Sequence, residues 1–230
     1  VIADTVDGEH LDFRSINSCI RPAHAIHGMA LWTAADLAQE GVLHPAQAAI
    51  VQRHGTQCGF CTPGVVMSLF SLYQRTCAKG GQLYKADVTD ALSGNLCRCT
   101  GYRSIVDAAF SMRDYPKALE NEKEIAHQLM MIQSCAHSVV NYEMPMELST
   151  LLELRAQNQE AQLIAGATDV GIWVKQGMKH LPHIIDVHRV KELRTIEVTA
   201  NHLCIGAAVL LQEAFDVLAE ERPRVKAFAA

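Results

Sequence analysis

QCGFCTPGVV, residues 57–66, sets two cysteines three positions apart, then runs through Thr-Pro-Gly into an apolar stretch. A second tight pair stands in GNLCRCTGY, residues 94–102, where only Arg98 separates Cys97 from Cys99. The full spacing is C-x2-C-x35-C-x-C. Four thiols so grouped suit zinc or an iron–sulfur cluster. Zinc sites commonly close with a second C-x2-C. A C-x-C pair instead brings two sulfurs together on an extended loop, which fits two thiolates on one iron. In each pair the second cysteine precedes Thr and a helix-starting sequence, Thr62-Pro63-Gly64 and Thr100-Gly101. Thr62 and Thr100 are expected to cap two helices, whose free N–H groups and partial positive charge then face the thiolates. Metal-free chance pairing, structural zinc and [2Fe–2S] all stay open on these residues alone.

Moving outward, the 230 residues are 49% hydrophobic and 20% charged, with a formal net charge of −5. This is the composition of a globular protein of one or two domains. The charge is spread along the chain without a basic stripe, so no nucleic-acid partner is expected. No apolar run approaches a bilayer span, so no membrane role is expected either. The start, VIADTVDGEHLDF, lacks a basic region followed by an apolar one and is not read as a secretion signal. A cytoplasmic location follows as the expectation, where thiols stay reduced and eight cysteines do not imply a disulfide framework. The opening on VIA and the stop at ERPRVKAFAA suggest a piece of a longer chain.

Residues 1–20 read as a hairpin turning at Asp7-Gly8. Helices are expected over 44–54, with Pro45 in its first turn, over 63–78, over 86–93 and over 101–114. Val66, Leu69, Phe70 and Tyr73 share one helical face, as do Ile105, Val106, Ala109 and Phe110. Residues 115–137 are polar at first and read as a linker, in part helical. From 138 onward strand and helix alternate. STLLELRAQ reads as a helix capped by Ser149, QLIAG as a buried strand, TDVGIWVKQG as a helix and HIIDV as a strand. A strand pair turning at Ala200-Asn201 follows, then the helix LLQEAFDVLAEE. The fold class is α+β and multidomain.

HGTQCGFCTPGVVMS and LSGNLCRCTGYRSIVDA together resemble the helical iron–sulfur domain of the molybdenum hydroxylases, among them xanthine dehydrogenases and aldehyde oxidoreductases. QLIAGATDVGIWVKQG resembles the flavin-binding loop of that family's FAD domain. The combination is similar to the iron–sulfur and FAD subunit of bacterial xanthine dehydrogenases. The resemblance implies four segments. Residues 1–22 would be the end of a plant-ferredoxin-like β domain, and 23–114 an all-α [2Fe–2S] bundle. Residues 115–137 would link these to 138–230, the N-terminal part of an FAD domain of the PCMH type.

It further implies Cys58, Cys61, Cys97 and Cys99 as ligands of one [2Fe–2S] cluster, with Gln57 and Cys99 touching the pterin. SINSCI matches the stretch that carries the last ligand of a second cluster, which makes Cys19 a ligand whose three partners would precede Val1. One complete cluster site is therefore expected here, against two in the full protein. Leu163, Ile164, Ala165, Gly166, Ala167, Thr168, Asp169 and Val170 would hold FAD. Backbone N–H groups between a strand end and a helix start can take a pyrophosphate, although the loop is not a G-x-G-x-x-G fingerprint.

The implied activity is electron transfer within a molybdenum-containing xanthine dehydrogenase. Electrons from a purine would leave a molybdopterin centre on a large partner subunit and reach NAD+ through [2Fe–2S] and FAD, in a hetero-oligomer. No catalytic acid–base group is identified in this chain. Two rival readings stand beside this one. The same relay could serve an aldehyde or an N-heterocycle, and a zinc-stabilised interaction module would need no redox chemistry.

Overall fold

The computed structural model of the chain describes residues 1–5, 7–133 and 137–221. Cys135, the end of the linker reading at 134–136 and the part of the flavin-domain reading at 222–230 lie outside the described residues. The chain divides into two compact units. One joins Val1–Ile16 to Gly28–Gln133; the other joins Asn17–His27 to residues 134–230.

The first unit opens with β1 (Ile2–Asp4) and β2 (Asp12–Arg14), antiparallel with Ala3 opposite Phe13. A short β3 (Ala30–Leu31) completes a sheet in the order β2-β1-β3. The two-residue turn expected at Asp7-Gly8 is a longer connection instead, because Asp7 folds the chain back on itself. Its Oδ1 accepts the N–H groups of Glu9 and His10, each at 2.9 Å, and Thr5 Oγ1 accepts that of Gly8. These bonds satisfy backbone groups that a tight hairpin would have put into the ladder.

Four helices follow: α1 (Pro45–Gln52), α2 (Thr62–Arg75), α3 (Lys85–Leu92) and α4 (Arg103–Ser111). The hydrophobic face read for α2 is buried, but so is most of the rest of the helix. Val65 and Leu72 sit in the core, and Ser71 and Gln74 are each 1% exposed. Their polar atoms are satisfied across elements: Ser71 Oγ donates to the Phe13 carbonyl, and Gln74 Nε2 to that of Ala118. Phe13 packs edge-on against Phe70 with centroids 5.9 Å apart. On α4, Ile105, Ala108 and Ala109 are buried, whereas Val106 and Phe110 only border the core. Within the stretch read as linker, residues 122–133 form α5 (Glu122–Gln133), whose Ala126 and Leu129 join the first unit's core.

The second unit holds a four-stranded sheet of β4 (His137–Val139), β5 (Tyr142–Met144), β6 (Gln162–Ile164) and β7 (Ile184–Asp186), in the order β4-β5-β7-β6. β5, β7 and β6 run parallel; β4 is antiparallel to β5. The helices α6 (Leu148–Gln157) and α7 (Thr168–Lys175) connect the parallel strands, as parallel pairing requires. Leu151 of α6 packs with Ile185, Val187 and Val190. Ser149 is not the cap of α6. Glu147 holds that position, and the Leu148 N–H is taken by the Glu192 carboxylate at 3.2 Å. β8 (Ile196–Val198) and β9 (Leu203–Ile205) form a hairpin closed by Thr199 and His202, and α8 (Leu211–Glu221) follows.

Candidate functional site

The first cysteine loop is shaped at both ends. Gly59, at φ +81°, turns the backbone between Cys58 and Cys61 through a region that side chains disfavour. Cys61 is the cap residue of α2, and Thr62 is the helix's first residue, its hydroxyl 2.6 Å from that of Thr56. The second loop is held from inside. The Cys97 N–H donates to the Tyr102 hydroxyl at 2.9 Å. The Thr100 hydroxyl lies 3.1 Å from Cys97 Sγ and accepts the Tyr102 N–H. Gly101 and Tyr102 are both left-handed, and α4 starts at Arg103. The two threonines therefore do not cap helices as the sequence suggested; each braces a cysteine loop. The loops meet where Gly64, in the first turn of α2, faces Asn95, since a Cβ there would lie 3.4 Å from Asn95 Nδ2.

The four sulfurs stand as two pairs, and each pair crosses the loops. Cys99 Sγ donates to Cys58 Sγ at 3.4 Å, and Cys61 and Cys97 lie close enough to shift each other's acidity. Within the C-x-C pair, Cys97 is turned inward by its contact with Thr100, while Cys99 is exposed and meets Cys58. Tetrahedral metal–thiolate bonds of about 2.3 Å place two sulfurs about 3.7 Å apart, close to the Cys58–Cys99 separation. A binuclear centre needs two such pairs side by side. A single ion needs one tetrad, and among the described residues no three His, Cys, Asp or Glu side chains converge on one ion.

Within each pair one thiol is more acidic than its partner. The hydroxyl and N–H of Thr100, with the Cys99 N–H and Cys61, bring Cys97 down to about 7, while burial and Cys97 push Cys61 up. The Phe60 N–H and the Cys99 thiol lower Cys58, and the hydrogen bond to Cys58 raises Cys99. Backbone N–H groups are thus already aimed at Cys58 and Cys97, the more acidic member of each pair. Metal loading would displace the thiol protons. This donor set fits [2Fe–2S], whose thiolates take N–H bonds. Gln57 is exposed immediately before Cys58, and Phe60 and Leu96 stand out beside the loops at 96% and 85% exposure. Cys19 is a free, exposed thiol in a turn of the second unit.

The loop expected to hold FAD leaves β6 after Ile164. Gly166 (φ +74°) and Ala167 (φ +57°) are consecutive left-handed residues, and α7 begins at Thr168 with no side-chain cap. The first-turn N–H groups of 168–170 have no partner inside the helix. Ile164 and Ala167 are buried and anchor the loop; Leu163, Ala165, Thr168 and Asp169 are exposed, with Gly166 and Val170 between. Val187 N–H donates to the Ile164 carbonyl at 2.8 Å, tying the loop to the end of β7. A Cβ on Gly171 would overlap the Ile20 carbonyl, so only glycine lets that segment lie against α7.

A polar network beside this loop was not found from sequence. Asp186, the last residue of β7, is fully buried. Its Oδ2 accepts the Tyr142 hydroxyl at 2.6 Å, and its Oδ1 accepts the backbone and ring Nδ1 of His188 at 3.1 and 2.8 Å. Burial alone would raise Asp186, but His188 and Tyr142 outweigh it and the carboxyl is lowered. Burial and the Asp186 charge push the Tyr142 phenol well up. His188 Nε2 is buried and has no hydrogen-bond partner among the described residues. The available signal was an acid closing an apolar strand, IID, with a histidine two residues on. An orphaned buried nitrogen in the loop after β7, one strand from an open helix N-terminus, fits a nucleotide lying across the carboxyl ends of β6 and β7.

A family described as [2Fe-2S] binding domain matches residues 33–110, and one described as FAD binding domain in molybdopterin dehydrogenase matches residues 137–229. The xanthine dehydrogenase of Drosophila subobscura is 30% identical across 94% of this chain and 19% of its own length. Human aldehyde oxidase is 31% identical across 89% of this chain and 19% of its own length. The xanthine dehydrogenase of Blastobotrys adeninivorans reaches 47% identity over 46% of this chain, or 7% of its own length. The chain thus spans about a fifth of the length of the relatives that it matches along most of itself.

Proposed function

Because the chain belongs to the molybdenum hydroxylases and carries their [2Fe–2S] and FAD-binding domains, we propose that it is the electron-relay part of a xanthine dehydrogenase. In this reading a purine is oxidised at a molybdopterin centre on a large partner subunit, and the electrons pass through this chain to NAD+ in a cytoplasmic hetero-oligomer. The cofactors, when bound, supply one-electron transfer at iron and two-electron transfer at flavin.

The residues divide the work. Cys58 and Cys99 hold one metal, Cys61 and Cys97 the other, and the N–H groups of Phe60, Cys99 and Thr100 offset charge on sulfur. Gln57, beside Cys58, and Cys99 face the pterin. Residues 163–170 take the flavin nucleotide's pyrophosphate on the open end of α7. Cys19 is a ligand of a second cluster whose other ligands come from outside these residues. The segments 1–22, 23–114, 115–137 and 138–230 remain the proposed division. An aldehyde or an N-heterocycle is the alternative substrate, since no residue identified here would touch it.

The contact of Cys58 with Cys99 across the two cysteine loops is the observation that carries this reading. Iron and acid-labile sulfide per chain, measured with the visible spectrum, test it. Two irons and two sulfides with charge-transfer bands are expected. A colourless protein holding one zinc would overturn the relay and favour the interaction module.

A further inference from the structure

We infer that His188 is a ligand-contacting residue of the nucleotide site, its Nε2 accepting a hydrogen bond from a sugar hydroxyl of the bound dinucleotide. This rests on the flavin reading above and deepens it. Asp186 has no exposed surface and holds the Nδ1 side of the His188 ring at 2.8 Å. A neutral imidazole bonded in that way keeps its proton on Nδ1 and leaves Nε2 as a bare acceptor. That nitrogen is buried with nothing to bond to among the described residues, an arrangement that costs free energy unless a ligand completes it.

Topology places the group beside the flavin loop. β6 and β7 are adjacent and parallel, with Ile164 opposite Asp186, so the loops that leave them emerge at the same edge of the sheet. One loop carries Gly166 and Ala167; the other carries His188 two residues past Asp186. The Val187 N–H bond to the Ile164 carbonyl holds the two together. A phosphate is the poorer partner for Nε2, because phosphate oxygens only accept and the buried Asp186 carboxylate is close by. A hydroxyl donates, and FAD carries hydroxyls on both its ribose and its ribityl chain.

The test is FAD binding to the full chain, followed by flavin fluorescence. His188→Leu is expected to weaken binding about 10-fold, the loss of one net hydrogen bond. His188→Gln, which restores an acceptor, is expected to recover at least half of that loss. ADP and FMN titrations separate the two sources: an effect confined to ADP points to the ribose, one confined to FMN to the ribityl chain. Nitrogen-15 NMR of the wild-type chain adds a reading free of any folding defect, in which the His188 Nε2 resonance moves on adding FAD. A resonance unmoved at saturation, or wild-type affinity in His188→Leu, overturns the inference while leaving the flavin reading intact. Failure of the wild-type chain to bind FAD overturns both.

Discussion

His44 should make the first unit sensitive to acid, with a size that the structure sets. The ring is 5% exposed and sits edge-on to Phe70 and Tyr73, with centroids 5.1 and 4.9 Å away. Burial lowers its pKa from 6.5 to about 4. Capping works in the same direction. Nδ1 accepts the Ala46 N–H at 3.1 Å, so a second proton on the ring can only arrive by breaking the cap of α1. The native state therefore resists a proton that the unfolded state takes readily. Stability is fully present above about pH 6.5 and is lost as pH falls toward 4. At about 1.4 kcal/mol per unit the whole shift amounts to about 3 kcal/mol, most of it lost between pH 7.5 and 4.5.

His44→Asn isolates this contribution. Asn keeps an N-cap oxygen but cannot titrate, so it loses ring packing at every pH alike. Urea unfolding of both proteins by circular dichroism at pH 7.5, 6, 5 and 4.5 gives a stability gap at each point. Carboxylates elsewhere titrate in both proteins and cancel in the gap. The wild-type advantage should shrink by about 2–3 kcal/mol across the series. A gap constant to within about 0.5 kcal/mol would show that His44 accepts its proton in the folded protein at no cost, and the reasoning from burial and capping would be wrong.

Other substitutions probe the remaining sites. Cys97→Ser or Cys61→Ser should abolish the visible chromophore and bound iron, since each breaks one sulfur pair; an unchanged iron content would contradict the pairing. Cys19→Ser should leave the iron content of this chain unaltered, and a fall by half would show that Cys19 holds a cluster here. Gly171→Ala drives a methyl into the Ile20 carbonyl and should destabilise by about 2–3 kcal/mol in thermal or urea unfolding, well above an ordinary surface change. Tyr142→Phe strips one donor from the buried Asp186 and should cost about 1–3 kcal/mol, read by the same unfolding assay.

What the sequence made legible was local. Apolar spacing located α2, and QLIAG followed by TDVG located β6, its loop and α7, because each signal lies within a dozen neighbouring residues. What stayed hidden depended on partners distant in the chain. The cysteine spacing picks out four thiols but not which sulfur meets which, since the Cys58–Cys99 contact joins residues 41 positions apart. α5 was obscured because its first turn carries Glu122 and Glu124, while its two fully buried residues, Ala126 and Leu129, are too few to mark a face. β4 and β5 are three-residue strands, too short to show alternation. Asp186 and Tyr142 lie 44 positions apart, so neither predicts the other.

The misread threonines disclose how the two cofactor regions are built. α1 and α5 carry a cap side chain on a first-turn N–H: His44 Nδ1 takes that of Ala46, and Asn121 takes that of Glu124. α3 has no side-chain cap, its Asp87 reaching only the Tyr84 N–H ahead of the helix. The helices that follow the two cysteine pairs and the flavin loop also start without one. α2 begins after Cys61, α4 after left-handed Tyr102 and α7 after left-handed Ala167, and none has a side-chain cap. A side-chain oxygen at those positions would occupy N–H groups that an anion needs, and would replace an attraction worth up to about 2 kcal/mol with one already spent. Thr62 and Thr100 are drawn away from capping by Thr56 and Cys97, which leaves the helix ends open. Local propensity alone would have closed them, and in the proposed reading these open ends face the anionic cofactors.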